Sequence, residues 1–396
     1  MKKFFMLFLI VSFIAATNAM AGEGTLLKTL LQKAVITKSE YWAALKEEAA
    51  GVAEWTKRLT ISGAVEGTLS WQEKRDDERY GDSTSEAVVD TVELGIEAAI
   101  ADWITGGAVL LAEDLGSGGE TSLDVDEAVI TLQKESLPLY LVAGKRVVPF
   151  GFFPENFITD PMGMDAYETN EAGLTIGFTG PMDLDLSATI YRGEEMMGHL
   201  FESGLFSTNG IQRATDAVGA DETDNLESYV LAASIAPMGD RLVLGASYLS
   251  EPGHSDRNST VAFSLTSTPV ERVTMNLEYF VATGREKYYT AAPARYADSF
   301  KEKVLFADLV FQATDSVSIA AKYAHFDDDD MAHKSDTWSV KDRYSLAAFW
   351  KFYEKGNLND FTGFEWRHSE HEVDSAVSAN IADSNNELFV KLGIGF

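Results

Sequence analysis

Alternation of apolar and polar residues limits the fold of this chain more than any other feature of its sequence. In "LTISGAVEGTLSWQ", Leu59, Ile61, Val65, Leu69 and Trp71 hold one parity, while mainly polar residues hold the other. Successive side chains of a strand point to opposite faces, so the pattern predicts a long strand with one apolar face. The period of two returns along the chain, in residues 184–190, 242–248, 273–279, 317–323 and 344–352.

The chain lacks, after its first residues, the roughly 20 consecutive apolar residues that a membrane-spanning helix requires. Only helices and closed barrels satisfy all their backbone hydrogen bonds within lipid. Any membrane residence of this chain is therefore expected to come from a barrel.

Short and long connections alternate between the predicted strands. Short turns are expected at residues 101–103, 135–138, 180–183, 237–240, 267–271 and 313–316. Long polar loops are expected at residues 73–86, 147–170, 193–225, 284–301, 326–341 and 369–384. Short turns inside and long loops outside are typical of bacterial outer-membrane barrels. The prediction is an all-β protein: a membrane-spanning antiparallel β-barrel of roughly sixteen strands over residues 59–396, with both termini in the periplasm.

The two ends of the chain fit export to the outer membrane. Residues 1–21 run from two lysines through a short apolar stretch to Ala19-Met20-Ala21, as a signal peptide does. Residues 22–58 predict short amphipathic periplasmic helices that tether or plug the barrel, with coiled-coil oligomerisation as the alternative. The last strand ends in Phe396, which resembles the recognition signal that the barrel-insertion machinery reads.

Charge excludes one class of partner. The formal net charge is −30 at pH 7, and it becomes about −32 once Lys2 and Lys3 leave with the signal peptide. Such a chain repels nucleic acid, so no nucleic-acid role is expected, whereas cations and a lipopolysaccharide surface bridged by divalent ions suit it. Cysteine is absent, so disulfides and thiolate metal sites are excluded.

The segment "VVPFGFFPENFITDPMGMDAYETN" is rich in aromatic and apolar residues, yet its three prolines exclude a continuous helix or a central strand. Counted from Leu59, the long connections are residues 73–87, then 115–122, then 149–170, so this segment is the third external loop. We expect residues 149–170 to fold inward and narrow the lumen. The aromatic residues would pack against the inner wall and the acidic residues would face water; the constriction residues are Phe150, Phe153, Glu155, Phe157, Asp160, Asp165 and Glu168. The alternative is an external loop whose aromatic residues pack together or against lipopolysaccharide.

This part of the sequence resembles a known family. Residues 144–178 contain the Gly144-Lys145 entry, the Pro149–Gly151 turn, the block Glu155–Pro161 and the block Glu168–Ala172, and they resemble the strand-loop-strand region of the LbtU-like siderophore porin family. The resemblance implies a passive outer-membrane channel used in ferric-siderophore uptake.

Parity also predicts the lining of the lumen. A basic wall is expected from Lys322, Arg343, Lys351, Arg367 and Lys391. Inward acidic residues are expected at Glu66, Glu93, Glu97, Glu278, Asp308 and Glu365. A basic wall opposite an acidic loop would set a transverse field that orients dipolar solutes. In the alternative, these charges pair with one another and only keep the interior wet.

No enzyme, cofactor or metal site is predicted. His368, Glu370 and His371 could hold a metal in the last external loop, and Asp327 to Asp330 could bind Ca2+, but solvated charges are the favoured interpretation of both. The Gly-rich residues 116–120 precede no helix and therefore form no phosphate cradle.

The sequence thus leaves three functions open. The first is a selective channel for a ferric siderophore or another iron chelate, and the second is a general, cation-preferring diffusion porin for small hydrophilic solutes. The third is a non-conducting structural or adhesive barrel. Assembly as a homotrimer is also left open.

Overall fold

Antiparallel strands close into a barrel in the computed structural model of the chain. It describes residues 58–73, 83–116, 122–208, 211–213, 225–254, 256–291, 294–296, 299–331, 338–355, 358–374 and 382–396. Within this part of the chain, sixteen strands form the barrel, three short strands form a separate sheet, and two short helices lie in the connections. The predicted all-β barrel and its strand number are confirmed.

The barrel strands follow one another in chain order around the ring. They are β1 (Leu59–Glu73), β2 (Ser83–Ala101), β3 (Ile104–Leu115), β4 (Asp124–Gln133), β5 (Leu139–Val147), β6 (Asn170–Gly180), β7 (Leu184–Tyr191), β9 (Ser228–Ile235), β11 (Leu242–Glu251), β12 (Asn258–Val270), β13 (Val273–Gly284), β16 (Lys303–Thr314), β17 (Val317–Asp327), β18 (Trp338–Lys355), β19 (Leu358–Val373) and β20 (Ser384–Gly395).

The remaining elements lie in the connections. The separate sheet consists of β8 (Ile211–Arg213), β14 (Tyr288–Ala291) and β15 (Ala294–Tyr296), and β10 (Pro237–Asp240) is a short strand between β9 and β11. The helices are α1 (Met162–Tyr167) and α2 (Glu195–Glu202), with one 3-10 turn at Pro181–Asp183. Among the described residues, no helix is long and apolar enough to cross a membrane.

The first and last barrel strands close the ring. β1 and β20 pair antiparallel, from Ala64 opposite Gly395 to Gln72 opposite Glu387. At the end of this pairing, Gly63 and Phe396 exchange two backbone hydrogen bonds of 3.0 Å. Every barrel strand therefore has a partner on both sides, so the barrel presents no free edge.

The outer face carries the apolar parity that the sequence predicts. On β1, Ile61, Val65 and Leu69 are 37 %, 49 % and 59 % exposed, while Thr68 between them is buried. The same holds on β19, β20 and β18, where Phe364, Leu392 and Leu346 are exposed. An apolar exterior of this kind matches the hydrocarbon of a bilayer.

The connections differ in length at the two ends of the barrel. At one end, the short-turn end, two to six residues separate the strands of each joined pair: β2–β3, β4–β5, β6–β7, β9–β11, β12–β13, β16–β17 and β18–β19. At the other end, the long-loop end, six to 36 residues separate the strands of each joined pair: β1–β2, β3–β4, β5–β6, β7–β9, β11–β12, β13–β16, β17–β18 and β19–β20. β1 starts and β20 ends at the short-turn end. The alternation expected from the sequence is confirmed, whereas the periplasmic side remains a prediction.

The hydrophobic core lies inside the barrel. It joins side chains of four connections, among them Phe150, Met197 and Phe300, with side chains of the strands from β7 to β18, among them Phe280 and Phe306. The strand residues of this core alternate with exposed ones on the same strands, so they face inward. The third loop was expected to enter the barrel in this way, whereas residues 193–225 and 284–301 were expected only as long polar loops and also supply buried apolar side chains. A barrel of sixteen strands is too wide for wall side chains alone to fill.

Two predicted segments lie outside the described residues. These are the signal peptide, residues 1–21, and nearly all of the periplasmic helical segment, residues 22–58, of which only Arg58 is described.

Candidate functional site

The connection between β5 and β6 forms the centre of the candidate site. We call residues 148–169 the third loop, since two long connections precede it. Its ends are held together by the Val148 N–H, which donates to the Thr169 carbonyl oxygen at 2.8 Å. Val148 and Thr169 are both buried. The loop thus leaves and re-enters the wall at one point, and the residues between them reach other strands.

The first part of the loop is bound by a carboxylate of β13. The N–H groups of Phe152 and Phe153 donate to the two carboxylate oxygens of Glu278 at 2.6 and 3.0 Å. Gly151 N–H donates to Ser247 Oγ at 3.2 Å, and its φ of 79° is one that glycine adopts without steric cost. Because Glu278 is fully buried, its carboxylate receives these donors in place of water.

Aromatic contacts support the same attachment. The Phe150 ring lies 5.9 Å from the Phe280 ring, and the Phe153 ring stacks on Phe280 at 5.9 Å. Tyr167, at the end of α1, approaches Phe280 at 4.9 Å. Phe152, which the sequence interpretation also placed against the wall, is 52 % exposed. Its backbone direction, fixed by Glu278, turns that side chain away from the cluster.

The tip of the loop is bound by Glu365 on β19. Ile158 N–H, Thr159 N–H and the Thr159 hydroxyl all donate to the Glu365 carboxylate at 2.8 Å. Asn156 Nδ2 donates to Asp308 Oδ2 on β16 at 2.9 Å. The Lys322 ammonium on β17 donates to the Thr159 carbonyl oxygen at 3.1 Å and lies 4.4 Å from the centre of the Phe157 ring. The tip therefore contacts three strands that lie far around the ring from β5 and β6.

The helical end of the loop is bound by β18. Arg343 Nη1 donates to Asp165 Oδ2 at 2.6 Å. Tyr167 donates its hydroxyl to Glu302 Oε1 at 2.9 Å, and the same carboxylate forms an ion pair with Arg285. Arg285 and Glu302 are buried, so each charge is compensated by the other within protein.

The predicted acidic residues of the loop occupy different surroundings. Glu155 and Asp160 are exposed, Glu168 is half-buried, and Asp165 is paired with Arg343. Although Asp160 is exposed to the lumen, residues of the loop and the wall surround it at longer range. The resulting desolvation, with the carboxylates of Asp165 and Glu155, raises its pKa to about 6.

Glu168 lies close to further carboxylates from the wall. Burial raises its pKa to about 7, and Asp160, Asp126 on β4, Glu155 and Glu113 on β3 add to the effect. A carboxylate raises the pKa of its neighbour only when the two lie near each other. The carboxylates that raise the pKa of Glu168 thus come both from the loop and from the wall of β3 and β4.

Most of the predicted basic wall is paired with carboxylates. Lys322 lies 3.6 Å from Glu365, and Arg367 contacts Glu387 through two hydrogen bonds of 2.6 and 2.9 Å. Lys391 contacts Glu66 at 2.8 Å and Asp90 at 2.6 Å. Arg343 is paired with Asp165, as described above. Four of the five predicted basic residues therefore have a carboxylate within 4.0 Å.

Lys351 is set apart from the other four. It is exposed near the short-turn end of β18, where its N–H donates to the Ser316 carbonyl oxygen at 2.8 Å. Its parity is that of Arg343, but eight residues of strand separate the two positions.

The connection between β7 and β9 also enters the barrel, which the sequence interpretation missed. Met196, Met197 and Leu200 of α2 belong to the interior core. His199 Nε2 lies 2.9 Å from the Met164 carbonyl oxygen of α1, so the two helices touch. Apolar residues at positions i, i+1 and i+4 of "EMMGHLFE" were the available signal for an amphipathic helix.

A buried carboxylate of β11 holds the start of α2. Glu251 accepts hydrogen bonds from the Met196 N–H at 2.8 Å, the Met197 N–H at 3.2 Å and the Tyr191 hydroxyl at 2.7 Å. The first N–H groups of a helix lack partners within the helix, and a carboxylate there also matches the helix dipole. Glu251 thus binds backbone N–H groups of α2, as Glu278 and Glu365 bind those of the third loop.

The other candidate sites do not assemble. His368 and His371 lie within β19 rather than in the last external loop, and residues three apart on a strand face opposite sides. His368 is beside the outward-facing Tyr344, whereas His371 contacts Trp338. In the part of the chain that the structure describes, no three His, Cys, Asp or Glu residues are grouped to hold a metal ion. The Gly-rich stretch lies largely outside the described residues, and Asp327 pairs with Lys303 at 2.6 Å.

Solved structures with a similar fold are outer-membrane channels and porins. The outer membrane channel DcaP of Acinetobacter baumannii superposes with a TM-score of 0.59 at 13 % identity, over 85 % of this chain and 97 % of that chain. OmpF of Salmonella typhi, solved with daunomycin, gives 0.58 at 12 % identity over 85 % and 97 % of the two chains. The anion-selective porin from Comamonas acidovorans gives 0.57 at 9 % identity over 85 % and 99 %.

These likenesses establish a porin-like fold. No protein-family model and no curated protein matches the sequence. The resemblance of residues 144–178 to the LbtU-like siderophore porin family therefore stays a prediction.

Proposed function

We propose that this protein is a passive outer-membrane channel for small hydrophilic solutes, with a preference for cations. The closed barrel, its apolar exterior and its charged interior support this function. No enzyme activity is proposed.

We place the constriction at the third loop. In support, its residues contact side chains of β11, β13, β16, β17, β18 and β19. Side chains that bind the loop come from the inner face of these strands, so the loop would narrow the lumen from the β5–β6 side. Phe150, Phe153 and Phe157 act as anchors in this proposal, and the acidic residues line the opening.

The observation that carries the cation preference is an imbalance of charge pairing. Glu155 and Asp160 are exposed and form no ion pair with any described residue, while Lys322, Arg343, Arg367 and Lys391 are paired. The potential that a passing ion experiences is set by the uncompensated groups. The free carboxylates near the tip would therefore raise the local concentration of cations and lower that of anions.

The test is reversal potential in a planar bilayer under a KCl gradient. For the wild-type protein we expect a cation-selective current. Exchanging Glu155→Gln and Asp160→Asn together should bring the permeability ratio of K+ to Cl− toward one. The matched control is Asp315→Asn, since Asp315 is fully exposed in a turn at the short-turn end. Unchanged selectivity in the double variant would contradict the proposed constriction.

Ferric-siderophore uptake is the second candidate, and it rests on the resemblance of residues 144–178. The same bilayer separates the candidates. A ferric siderophore added on the long-loop side should block the current in a concentration-dependent way if the channel is selective for it, and should leave the current unchanged in a general porin. A preparation without any conductance would favour the non-conducting barrel and retire both channel functions.

The proposed partners follow from the location. Outer-membrane lipid and lipopolysaccharide would surround the exterior, and the barrel-insertion machinery would read the last strand through Phe396. A homotrimer is the assembly we propose, by analogy with solved neighbours such as OmpT of Vibrio cholerae, one structure of which is described as a trimer form. Native mass spectrometry of the detergent-extracted protein would reveal the number of copies.

A further inference from the structure

We propose a second binding site in the inner wall above the constriction, shaped for a neutral, polyhydroxylated solute the size of a single sugar ring. The site is a cavity of about 270 Å³ at the long-loop end of the barrel. Its walls come from β18, β19, β20, β1 and β2, and its lining includes Arg343, Ser369, Asn385, Gln72 and Thr84. The third loop contacts this region through Asp165, the partner of Arg343.

Three polar side chains form a row across neighbouring strands. Arg343 on β18 pairs in register with Ser369 on β19, and Ser369 pairs with Asn385 on β20. The three residues are 9 %, 3 % and 6 % exposed, respectively. Adjacent strands lie about 4.8 Å apart, so the row presents hydrogen-bonding groups at a spacing similar to that of alternate hydroxyl groups around a sugar ring.

Two atoms of this row lack hydrogen-bond partners within the described residues. They are Arg343 Nε, a donor, and Asn385 Oδ1, an acceptor. Buried polar atoms without a partner cost free energy, so they are rare unless a site uses them. Small rotations of the two side chains would turn these atoms toward the cavity, where a hydroxyl group can accept from one and donate to the other.

Charge balance selects a neutral solute. Arg343 is paired with Asp165, and Arg367 is paired with Glu387. The remaining acidic group, Glu73, accepts two hydrogen bonds from Asn386. An anion would meet these carboxylates and a cation would meet two guanidinium groups, whereas a solute rich in hydroxyl groups pairs with donors and acceptors without bringing charge.

Size supports the same class. Pockets for drug-sized ligands usually measure about 300–1,000 Å³. At about 270 Å³ this cavity lies just below that range and suits a single ring. Binding here does not depend on conductance, so the proposal goes beyond the channel function and can fail or stand without it.

The experiment measures binding of D-glucose to the purified full-length protein. Saturation-transfer NMR reports contact with the sugar, and tryptophan fluorescence provides a second signal because Trp338 lies against the lining residue His371, with ring centres 5.9 Å apart. The detergent must carry no sugar headgroup, since such a headgroup would compete. We expect saturable binding with a Kd on the order of 1 mM, as suits a few hydrogen bonds.

Variants locate the binding. Asn385→Leu and Ser369→Ala should each weaken glucose binding by about tenfold, the loss expected from one hydrogen bond worth roughly 1.4 kcal/mol. The control is Asn359→Leu, near the short-turn end of β19, which should bind as wild type. Ser369→Ala removes only a hydroxyl group, so it keeps the test decisive if Asn385→Leu fails to fold.

Three results would overturn the proposal: no saturable binding of glucose to the wild-type protein, unchanged binding in Ser369→Ala, or tighter binding of succinate or putrescine than of glucose. The last result would assign the cavity to a charged solute.

Discussion

Single buried carboxylates of the wall determine where the inward segments lie. Glu278, Glu365 and Glu251 each accept at least two backbone N–H groups from a segment far away in sequence. A carboxylate has several lone pairs and donates nothing when ionised, so it can receive two or three donors together. Each of these residues therefore fixes both the position and the direction of a loop.

Substituting Glu365 with glutamine should loosen the tip of the third loop. The glutamine side chain keeps the shape but replaces one acceptor oxygen with a donor. Its remaining oxygen can still accept the N–H groups of Ile158 and Thr159, which share Oε2, but the Thr159 hydroxyl loses its acceptor at Oε1 and Lys322 loses the charge that faces it. An unpaired buried group costs about 1–3 kcal/mol, enough to populate an undocked tip. We expect larger open-channel current noise in single-channel recordings.

Glu354→Gln provides the matched control, because Glu354 is exposed near the short-turn end of β18. Noise equal to wild type in the Glu365 variant would mean that the other contacts of the tip hold it without this carboxylate.

At the scale of elements, sequence patterns reveal strands and turns but not the partners of loops. The parity of β1, β17 and β18 is local information, and it predicts the inner and outer faces correctly. Phe152 and Glu278, by contrast, lie 126 residues apart, and Ile158 and Glu365 lie 207 apart. No period in the sequence links such positions.

The same limit explains why α2 was missed. Its apolar face is short, and only contact with α1 and the strand wall makes a helix of eight residues stable at this position. The aromatic character of the third loop was readable because it spans many residues. The mixed polar and apolar character of residues 193–225 concealed an element whose partners are distant.

The third loop should also make ion selectivity depend on pH. The pKa values of Asp160 and Glu168 are raised to about 6 and about 7, so both carboxylates are largely ionised at pH 8 and largely neutral at pH 5. Cation preference should therefore fall as the pH is lowered through this interval.

Reversal potentials across that pH range would measure the change. A variant with both Asp160→Asn and Glu168→Gln should show a weaker and nearly pH-independent preference. A wild-type preference that stays constant from about pH 8 to about pH 5 would exclude these two groups as the source of selectivity.

At the scale of the whole molecule, closure depends on close contact at one seam. A Cβ atom at Gly63 would lie 2.8 Å from the Glu93 carbonyl oxygen and 2.8 Å from Cζ of Phe396. The Phe396 ring thus covers a position on β1 that only glycine fits. The terminal residue thereby has a structural role in the closed barrel as well as the predicted role in insertion.

Gly63→Ala should weaken the seam. Overpacking of this kind typically costs about 1–3 kcal/mol, so the denaturation temperature should fall. That temperature is measured from the gel mobility of the folded barrel after heating the sample to increasing temperatures. Gly67→Ala is the matched control on the same strand, because its Cβ would meet only the Val88 carbonyl oxygen at 3.6 Å. Equal losses in the two variants would show that the seam is not the sensitive position.

The pairing of β1 with β20 also determines the order in which parts of the barrel can assemble. The first strand keeps one side open until the last residues of the chain arrive, since its second neighbour is the final strand. The third loop must wait as well, because Glu278 and Glu365 are delivered long after the loop itself. During assembly the barrel therefore passes through an intermediate in which the first strand lacks its second partner and the third loop does not yet occupy the lumen. Contacts so distant along the chain slow folding, so the cell has to shelter this open intermediate until its last strand is in place.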